Sequence, residues 1–406
     1  MASSKLKKII EDDSKFLYQN YGKRQEVCFV KGKGSLLYDQ DNKEYIDLFT
    51  GIAVSTLGHN HPAINTILRK QSEMILHSSN NYYNKEQIEN AKLISELAFP
   101  GKTLFVNSGT EANEAAIKLA RKYGLEQNKN KIEILSFYNS FHGRTFGSMT
   151  ATGQKKIHDG FGPLPKGFTH LPFNDIKAFK KAVKKGKTAA VITELIQAEG
   201  GVIPAQKAFI TELFDICQKY DILTIVDEVQ TGIGRTGLPF AFQHYEIIPD
   251  IITLAKALGG GLPLGAMHTK NFLLPYFPKG VHGTTFGGNH LSCALASAIL
   301  SELKKSSFIK EIDKTSNYIF ERLNDIRSKT NIIQDIRGLG LLIGIEINAD
   351  AITIVKKALE SGLIINCTSE KVIRLAPALN IKMKELKAGI DILEKIILGE
   401  KNSETT

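Results

Sequence analysis

The stretch Ile222-Leu-Thr-Ile-Val-Asp-Glu-Val229 is a short apolar run rich in β-branched residues, and Ala189-Ala-Val-Ile-Thr-Glu-Leu-Ile196 upstream has the same character. Runs of this kind are typical of strands that are buried on both faces of a parallel sheet. The segment between them repeats apolar residues at the spacing of one helix face: Phe209, Leu213, Ile216 and Tyr220. Strand, helix and strand in this order predict a βαβ unit.

Helix-like and strand-like segments alternate outward from this unit, from about residue 85 to about residue 270. Lys131-Ile-Glu-Ile-Leu-Ser-Phe137 is a further strand of the same type. The alternation predicts an α/β fold, with a large domain in which helices cover a mostly parallel sheet.

The pattern changes beyond about residue 300, where a long amphipathic helix is followed by glycine-broken strands between Ile332 and Ile347 and then by a final helix. The apolar faces of the two helices consist of Phe308, Ile312, Ile319, Leu323 and Ile326, and of Leu386, Ile390, Leu393 and Ile397. These elements predict a smaller α+β domain. We therefore divide the chain into a segment 1–52 that packs with the small domain, a large domain 53–299 and a small domain 300–406.

The composition excludes several classes of protein. The 406 residues are 42% hydrophobic and 23% charged, which is typical of a compact fold. The net charge of +10 is carried by lysines spread over helix surfaces without an aromatic stacking platform, so no nucleic-acid partner is expected. No run approaches the roughly 20 apolar residues of a membrane span. The start has no apolar signal core, and the four cysteines are scattered, so a cytoplasmic protein with reduced thiols is expected.

Two reactive side chains follow strand-like runs. Asp227 ends the run that begins at Ile222, and Lys256 ends Ile251-Ile-Thr-Leu-Ala-Lys256. Open α/β folds bind ligands at the carboxyl edge of the sheet, so both groups are expected at one site. They suit pyridoxal phosphate, because a lysine amine forms an imine with its aldehyde and a carboxylate keeps its ring nitrogen protonated. Alone, each would be most simply an exposed salt-bridge partner.

A third motif lies where Val106-Asn-Ser108-Gly109-Thr110 enters a helix. Small residues at a helix start leave backbone N–H groups free to bind an anion. A plain Ser or Thr cap explains the motif equally well. Phosphate binding is favoured because the Asp and Lys independently indicate a cofactor that carries a phosphate.

Two rival motifs are weaker. Gly232-Ile-Gly-Arg-Thr-Gly237 matches the GxGxxG signature of a dinucleotide-binding oxidoreductase, but no amphipathic helix and no strand ending in an acid follow it at the required distance. His59 and His61 lack a third ligand at metal spacing, so we expect no metal site there. His142 is assigned a positioning role beside Phe141.

The chain resembles the class III (fold type I) aminotransferases, and within them the acetylornithine aminotransferases. The resemblance covers nearly the whole chain, and its motifs are long and specific. They are Gly51-Ile-Ala-Val54, Gly58-His-Asn-His-Pro62, Asn107-Ser-Gly-Thr-Glu-Ala-Asn-Glu114, Phe141-His-Gly-Arg-Thr145, Asp227-Glu-Val-Gln-Thr-Gly-Ile-Gly-Arg-Thr-Gly237, Lys256-Ala-Leu-Gly-Gly-Gly-Leu-Pro-Leu-Gly-Ala266, His282-Gly-Thr-Thr-Phe-Gly-Gly-Asn289 and Arg374-Leu-Ala-Pro377.

The resemblance implies a role for each cofactor-binding residue. Lys256 would be the imine lysine and proton carrier, and Asp227 would pair with the pyridinium. Val229 and Phe141 would cover the two ring faces, while Gln230 would reach the phenolic oxygen. The phosphate would be held by residues of one subunit and, across a homodimer interface, by a threonine of the other: Ser108, Gly109, Thr110 and, from the neighbour, Thr285.

The resemblance also implies how two substrates share the pocket. Arg144 would grip the carboxylate of acetylornithine, with Thr284 close by. Arg374 would bind the α-carboxylate of glutamate, and Glu199 would neutralise Arg374 when the other substrate is bound. The expected reaction is transamination between N2-acetylornithine and 2-oxoglutarate in arginine biosynthesis.

Other amine donors stay open. Ile52 stands where ornithine aminotransferases carry a substrate-contacting tyrosine, which argues against ornithine and suits 4-aminobutyrate as well as acetylornithine. Succinyl-diaminopimelate is a further alternative. An NAD-dependent oxidoreductase or a non-catalytic binding protein is a remote one, because a regulator of this fold would be expected to lose Lys256 or Asp227.

Overall fold

The computed structural model describes residues 3–400 of the chain. Its strands are β1 (Phe29–Lys33), β2 (Leu36–Asp39), β3 (Glu44–Asp47), β4 (Gly101–Val106), β5 (Glu133–Phe137), β6 (Phe168–Leu171), β7 (Thr188–Thr193), β8 (Ile196–Gln197), β9 (Ile203–Pro204), β10 (Leu223–Asp227), β11 (Ile251–Leu254), β12 (Gly265–Lys270), β13 (Ile333–Leu339), β14 (Leu342–Ile347), β15 (Leu363–Ile364), β16 (Asn366–Thr368) and β17 (Val372–Leu375).

The helices alternate with these strands through the middle of the chain. They are α1 (Ser4–Phe16), α2 (Thr50–Ala53), α3 (Pro62–Ser72), α4 (Lys85–Leu97), α5 (Gly109–Gln127), α6 (Phe146–Ala151), α7 (Lys155–His158), α8 (Ile176–Ala182), α9 (Lys207–Tyr220), α10 (His290–Leu303), α11 (Ser306–Ser328), α12 (Ala351–Glu360) and α13 (Met383–Leu398). Short 3₁₀-helices span Ala241–Tyr245, Lys256–Gly259 and Asn271–Tyr276.

The large sheet has seven strands in the order β4-β12-β11-β10-β7-β5-β6. The run from β11 to β6 is parallel, whereas β12 is antiparallel to both of its neighbours. Every residue of β7, β10 and β11 is buried, as apolar strands covered by helices on both faces require. The α/β class with a mostly parallel sheet is confirmed.

The predicted βαβ unit consists of β7, α9 and β10. Helix α9 contains all four residues of the predicted apolar face, and it buries Phe209, Leu213 and Cys217 against the sheet. The first strand is shorter than its apolar run, because β7 ends at Thr193 and the chain then turns into the two-residue strand β8. The end of β7 therefore leaves Glu194 at the carboxyl edge of the sheet.

This edge brings the two reactive side chains together. Asp227 is the last residue of β10, and it pairs in parallel register with Thr253 of β11. Lys256 begins a 3₁₀-helix two residues after β11 ends. The edge predicted from sequence is thus the edge at which both groups lie.

The C-terminal part forms a separate sheet, β13-β14-β17-β16, packed with α11, α12 and α13. The N-terminal strands join this part, since β3 pairs in parallel with β15 and Ile46 and Leu48 lie in the same core cluster as α13. These contacts support the division into 1–52, 53–299 and 300–406, whose bounds stay a prediction.

The single turn α2 is left-handed, which the sequence analysis did not anticipate. Thr50, Gly51, Ile52 and Ala53 have φ values of 50°, 62°, 67° and 60°. Left-handed helical backbone costs roughly 1–2 kcal/mol per L-residue, so the three non-glycine residues together cost about 3–6 kcal/mol. A β-branched residue such as Ile52 is an outlier in this region. Surrounding contacts must therefore hold the turn.

All four cysteines are free thiols, and Cys217 and Cys293 are buried. Within residues 3–400, the structure contains no helix that is both long enough and apolar enough to cross a membrane.

Candidate active site

A cavity of about 440 Å³ opens at the carboxyl edge of the large sheet. Asp227 and Lys256 both line it. Most of the other predicted site residues line it as well: Ser108, Gly109, Thr110, Phe141, Arg144, Glu199, Val229 and Gln230. Arg374, Thr284 and Thr285 do not. One cavity therefore brings together all the predicted cofactor residues except Thr285, and Arg374 lies behind its wall.

Asp227 is fixed by three hydrogen bonds. Its Oδ2 accepts from Asn113 Nδ2 at 2.8 Å and lies 2.8 Å from His142 Nδ1, while its Oδ1 accepts from the backbone of Val229 at 3.0 Å. Asn113 is itself held by Thr253, whose hydroxyl donates to Asn113 Oδ1 at 2.7 Å. The carboxylate is thus oriented before any ligand binds.

Asn113 was missed by the sequence analysis, and His142 was assigned only a position beside Phe141. Asn113 lies on α5, one turn after the Ser108–Thr110 motif, so its place on the inner helix face was the available signal. The Nε2 atom of His142 is buried and has no hydrogen-bond partner. The His142 ring therefore contacts Asp227 through Nδ1 and makes no hydrogen bond through Nε2, which fits a role in positioning Asp227.

Lys256 lies at the start of a 3₁₀-helix with a left-handed backbone, φ 46°. Non-glycine residues in this region cluster at functional sites, where the surrounding structure holds them. Desolvation lowers the pKa of the Lys256 amine, and nearby Arg374 lowers it further, while the carboxylates of Glu199 and Asp227 oppose the shift. A lowered pKa increases the fraction of neutral amine, which is the nucleophilic form.

The start of α5 forms the small-residue end of the cavity. Ser108 is the N-cap, and its hydroxyl accepts from Glu111 N at 3.3 Å. A Cβ atom on Gly109 would lie 2.8 Å from Val229 Cγ1, so a larger residue would push into the cavity wall. The Thr110 hydroxyl lies 2.5 Å from Ser148 Oγ, within a cluster of hydroxyls. The backbone N–H groups of the first turn of α5 have no partner within the helix and can bind an anion at this end of the cavity.

Glu194 is a further cavity residue that the sequence analysis did not select. Its Oε2 accepts from Phe141 N at 3.0 Å and so fixes the segment that carries the aromatic ring. Burial raises the pKa of Glu194 well above its usual value, and the neighbouring Asp227 raises it further. The signal was present in the sequence, because Glu194 follows a strand that is adjacent to β10.

Arg374 and Glu199 form an ion pair at the wall of the cavity. Arg374 Nη1 lies 2.7 Å from Glu199 Oε1 and 3.0 Å from Gln230 Oε1, and its Nη2 donates to Asn366 Oδ1 at 2.8 Å. The Arg374 side chain is 3% exposed and that of Glu199 is 30% exposed. Burial would raise the pKa of Glu199, but the charge and hydrogen bond of Arg374 outweigh it and lower the pKa. Glu199 therefore faces the cavity as a carboxylate and covers the arginine.

Gln230 is engaged by the same pair rather than turned to the cavity centre. Its Oε1 accepts from Arg374 Nη1, and its Nε2 donates to Glu199 Oε1 at 3.4 Å. Its predicted contact with the cofactor stays a prediction.

Arg144 lies on the exposed rim, with its guanidinium carbon 5.7 Å from the centre of the Phe141 ring. Its loop is held by Glu114, whose Oε1 accepts from Gly147 N at 2.8 Å and Ser148 N at 3.1 Å. The Arg144 side chain is therefore exposed, while hydrogen bonds hold the loop that carries it. Its grip on a substrate carboxylate stays a prediction.

Thr284 and Thr285 lie outside the cavity of their own chain. Thr284 Oγ1 accepts from Asn107 Nδ2 and from Gly287 N, each at 3.1 Å. Phe286, which follows Thr285, is 60% exposed. These contacts hold the threonine loop beside the Ser108 end, at the surface.

The rival motifs have other roles in the structure. The glycines from 232 to 237 lead into the 3₁₀-helix Ala241–Tyr245, so the α-helix of a dinucleotide site does not follow them. His59 Nε2 lies 2.8 Å from Asp47 Oδ2, as a satisfied loop histidine does. Among residues 3–400, no cluster of His, Cys, Asp or Glu is arranged to hold a metal ion.

The residues present fit pyridoxal phosphate. A preoriented carboxylate, a desolvated amine, an aromatic ring and free helix N–H groups surround one cavity, whose volume is within the range of about 300–1,000 Å³ that small-molecule sites have. A Cβ atom on Gly109 would lie 2.8 Å from Val229 Cγ1, so the cavity wall is closely packed at this point.

Comparisons with known proteins define the family. The model of the aminotransferase class-III family matches residues 18–397. An acetylornithine aminotransferase of Caldanaerobacter subterraneus subsp. tengcongensis is 46% identical over 391 residues, which is 96% of this chain and 99% of that protein. An acetylornithine/succinyldiaminopimelate aminotransferase of Buchnera aphidicola subsp. Acyrthosiphon pisum is 45% identical over 366 residues, 89% of this chain and 90% of that protein.

The fold is shared with solved structures. The crystal structure of the ornithine aminotransferase from Toxoplasma gondii has a TM-score of 0.92 at 30% identity and covers 97% of this chain and 95% of that one. Fold and cavity together define an α/β enzyme with a cofactor site at the carboxyl edge of its sheet. The chain belongs to the class-III aminotransferases, which are pyridoxal-phosphate-dependent enzymes.

Proposed function

We propose that this enzyme transfers the amino group between N2-acetylornithine and 2-oxoglutarate, giving N-acetylglutamate 5-semialdehyde and glutamate, in arginine biosynthesis. The observation that carries the proposal is the ion pair between Arg374 and Glu199 at the wall of the cavity lined by Lys256 and Asp227. An arginine covered by a carboxylate suits an enzyme that binds two substrates, only one of which has a carboxylate at that place.

The cofactor would be held at both ends by this chain's own residues. Asp227 would accept a hydrogen bond from the protonated ring nitrogen, and the first turn of α5, at Ser108, Gly109 and Thr110, would bind the phosphate. When bound, pyridoxal phosphate supplies an aldehyde that takes up the amino group and a ring that accepts electrons from the substrate carbon. Lys256 would hold the cofactor and move the proton at the substrate carbon that bears the amine.

The ion pair would act as the substrate switch. With glutamate, the α-carboxylate would pair with Arg374, and Glu199 would move aside. With acetylornithine, Glu199 would stay on Arg374, so no buried charge is left alone. Arg144 at the rim would take the carboxylate of acetylornithine with two parallel hydrogen bonds, and Thr284 would lie nearby.

Succinyl-diaminopimelate is the second donor with specific support, because the Buchnera relative is named for both substrates. Ile52 is 41% exposed and offers no hydroxyl group, which disfavours free ornithine. 4-Aminobutyrate is compatible with the same apolar side chain.

The active form proposed is a homodimer in the cytoplasm. Thr285 does not line the cavity of its own chain, yet it precedes the exposed ring of Phe286, whose centre lies 5.2 Å from that of the His77 ring, with the two rings tilted to each other. A second copy would cover this apolar loop and receive Thr285 at its phosphate. Unpaired cysteines fit a reducing compartment.

Subunit mixing tests the shared site. Thr285→Trp and Lys256→Ala are each expected to be inactive alone. Mixed dimers would contain one intact site, so random mixing is expected to restore about a quarter of wild-type activity. No restoration, in a mixture shown by mass to exchange subunits, would contradict the shared site.

The substrate proposal is tested with the purified holoenzyme and a panel of amine donors at saturating 2-oxoglutarate. The panel contains acetylornithine, succinyl-diaminopimelate, ornithine and 4-aminobutyrate. Acetylornithine is expected to give the highest kcat/KM, or to share it with succinyl-diaminopimelate. A higher value for ornithine or 4-aminobutyrate would overturn the assignment.

A further inference from the structure

The left-handed turn α2 touches the active site at both of its ends. Val54, the residue after it, lines the cavity, and the turn packs against the 3₁₀-helix that begins at Lys256. Phe49, the residue before it, lies under Arg374, with the guanidinium carbon 5.4 Å from the ring centre. The conformation of these four residues therefore determines where Phe49 and Val54 lie. We call the part of the active site next to Arg374 the substrate end.

Three hydrogen bonds hold the turn in its unfavourable conformation. Asp47 Oδ1 accepts from Phe49 N at 2.9 Å and from Thr50 N at 2.7 Å. The Thr50 hydroxyl donates at 2.7 Å to the carbonyl of Ala376, two residues after Arg374. The Asp47 side chain is 2% exposed, and its other oxygen lies 2.8 Å from His59 Nε2. Strained backbone persists only where such neighbours over-determine it.

We propose that Asp47 is a positioning residue for the substrate end of the active site: it holds the left-handed turn and thereby sets Phe49 beneath Arg374 and Val54 at the cavity wall. Asp47 does not line the cavity, so it would act through the turn rather than on a bound molecule. The role rests on the proposed use of Arg374 for glutamate, and it adds a residue that determines how well that arginine is placed.

Asp39 provides a matched control in the same N-terminal sheet. Its Oδ1 accepts from Asp41 N and Lys43 N, each at 2.9 Å, and its Oδ2 accepts from the Tyr45 hydroxyl at 2.9 Å. Asp39 is 7% exposed and does not line the cavity. Asp47→Ala and Asp39→Ala therefore remove the same kind of buried acceptor, but only the first loosens the turn.

The experiment measures Tm and the KM for glutamate in the glutamate half-reaction, on purified holoenzymes. Both variants are expected to lower Tm, while only Asp47→Ala raises the KM, by about tenfold. Asp47→Asn keeps an oxygen for the two N–H groups, so its KM is expected to stay within about twofold of wild type. An unchanged KM in Asp47→Ala, an equal rise in Asp39→Ala, or an equal rise in Asp47→Asn would overturn the proposal.

Two further variants keep the test decisive. Ala53→Gly makes positive φ cheaper, so in the Asp47→Ala background it is expected to bring the KM back at least about threefold. If the KM did not recover, backbone strain in the turn would not explain the effect of Asp47→Ala.

If Asp47→Ala yields no folded protein, Thr50→Val is tested instead. We expect it to raise the KM severalfold at a Tm near that of the wild type, and an unchanged KM would refute the role. A wild-type enzyme that does not use glutamate would refute the proposed function instead.

Discussion

Replacing Glu199 by Gln is expected to change which substrate the enzyme prefers. The substitution keeps an oxygen near Arg374 but removes the negative charge that lies 2.7 Å from a side chain with 3% exposure. A charge-assisted hydrogen bond contributes about 1.5–3 kcal/mol, and 1.4 kcal/mol is a factor of ten. For a donor without a carboxylate at Arg374, kcat/KM is expected to fall about 10- to 150-fold.

Glutamate is expected to respond differently. Its α-carboxylate replaces the Glu199 carboxylate on Arg374, so the missing charge is supplied by the substrate itself. The variant also removes a competitor, because Glu199 no longer has to be displaced. Its kcat/KM for glutamate is therefore expected to stay within about threefold of wild type or to rise.

The assay follows each half-reaction separately by the change in cofactor absorbance, with glutamate and with acetylornithine. Glu346→Gln is the control, because Glu346 pairs with Arg337 in the small domain and does not line the cavity. It is expected to leave the ratio of the two kcat/KM values unchanged. Equal losses in both half-reactions of Glu199→Gln, or a ratio shifted toward acetylornithine, would refute the switch.

Three other changes have defined outcomes. Asp227→Asn, which removes the charge facing the ring nitrogen, is expected to weaken cofactor binding at least about tenfold, measured by equilibrium titration; unchanged affinity would contradict its role. Gly109→Ala places a methyl 2.8 Å from Val229 Cγ1 and is expected to weaken cofactor binding about tenfold at a Tm close to wild type. Burial raises the pKa of Glu228 to about 7 from 4.5, so its stabilising contribution is complete below pH 4.5 and is lost as the pH rises through 7. The free energy of unfolding is expected to fall by about 3 kcal/mol over that interval, and in Glu228→Gln denaturant titrations should show a flatter dependence.

The sequence predicted those parts of the site that depend on strand order. Asp227 and Lys256 each end an apolar run, and parallel strands place their carboxyl ends at one edge, so their meeting followed from the pattern alone. The same reasoning would have found Glu194, had the end of β7 been placed at Thr193. The run continues to Ile196, and periodicity does not show where a buried strand turns.

The sequence pattern does not indicate contacts between residues that are far apart in sequence. Asn113 reaches Asp227 over 114 positions of sequence, and its role depends on how α5 packs on the sheet. Arg374 and Glu199 were paired only through the resemblance, because nothing in their local sequence indicates the contact.

The left-handed turn shows a different limit. Thr50, Ile52 and Ala53 have no preference for positive φ, and only Gly51 hints at it. The conformation is imposed by Asp47 and by the carbonyl of Ala376, which is more than 300 residues away in sequence. Local propensity is overridden where tertiary hydrogen bonds hold the backbone.

We propose that Lys256 bears the cofactor in the cavity that Asp227 also lines. Reducing the holoenzyme with borohydride and mapping its peptides by mass spectrometry tests this directly. We expect the cofactor mass on the peptide that contains Lys256, and its loss in Lys256→Ala. A label on another lysine, or no label in protein that contains the cofactor, would contradict it.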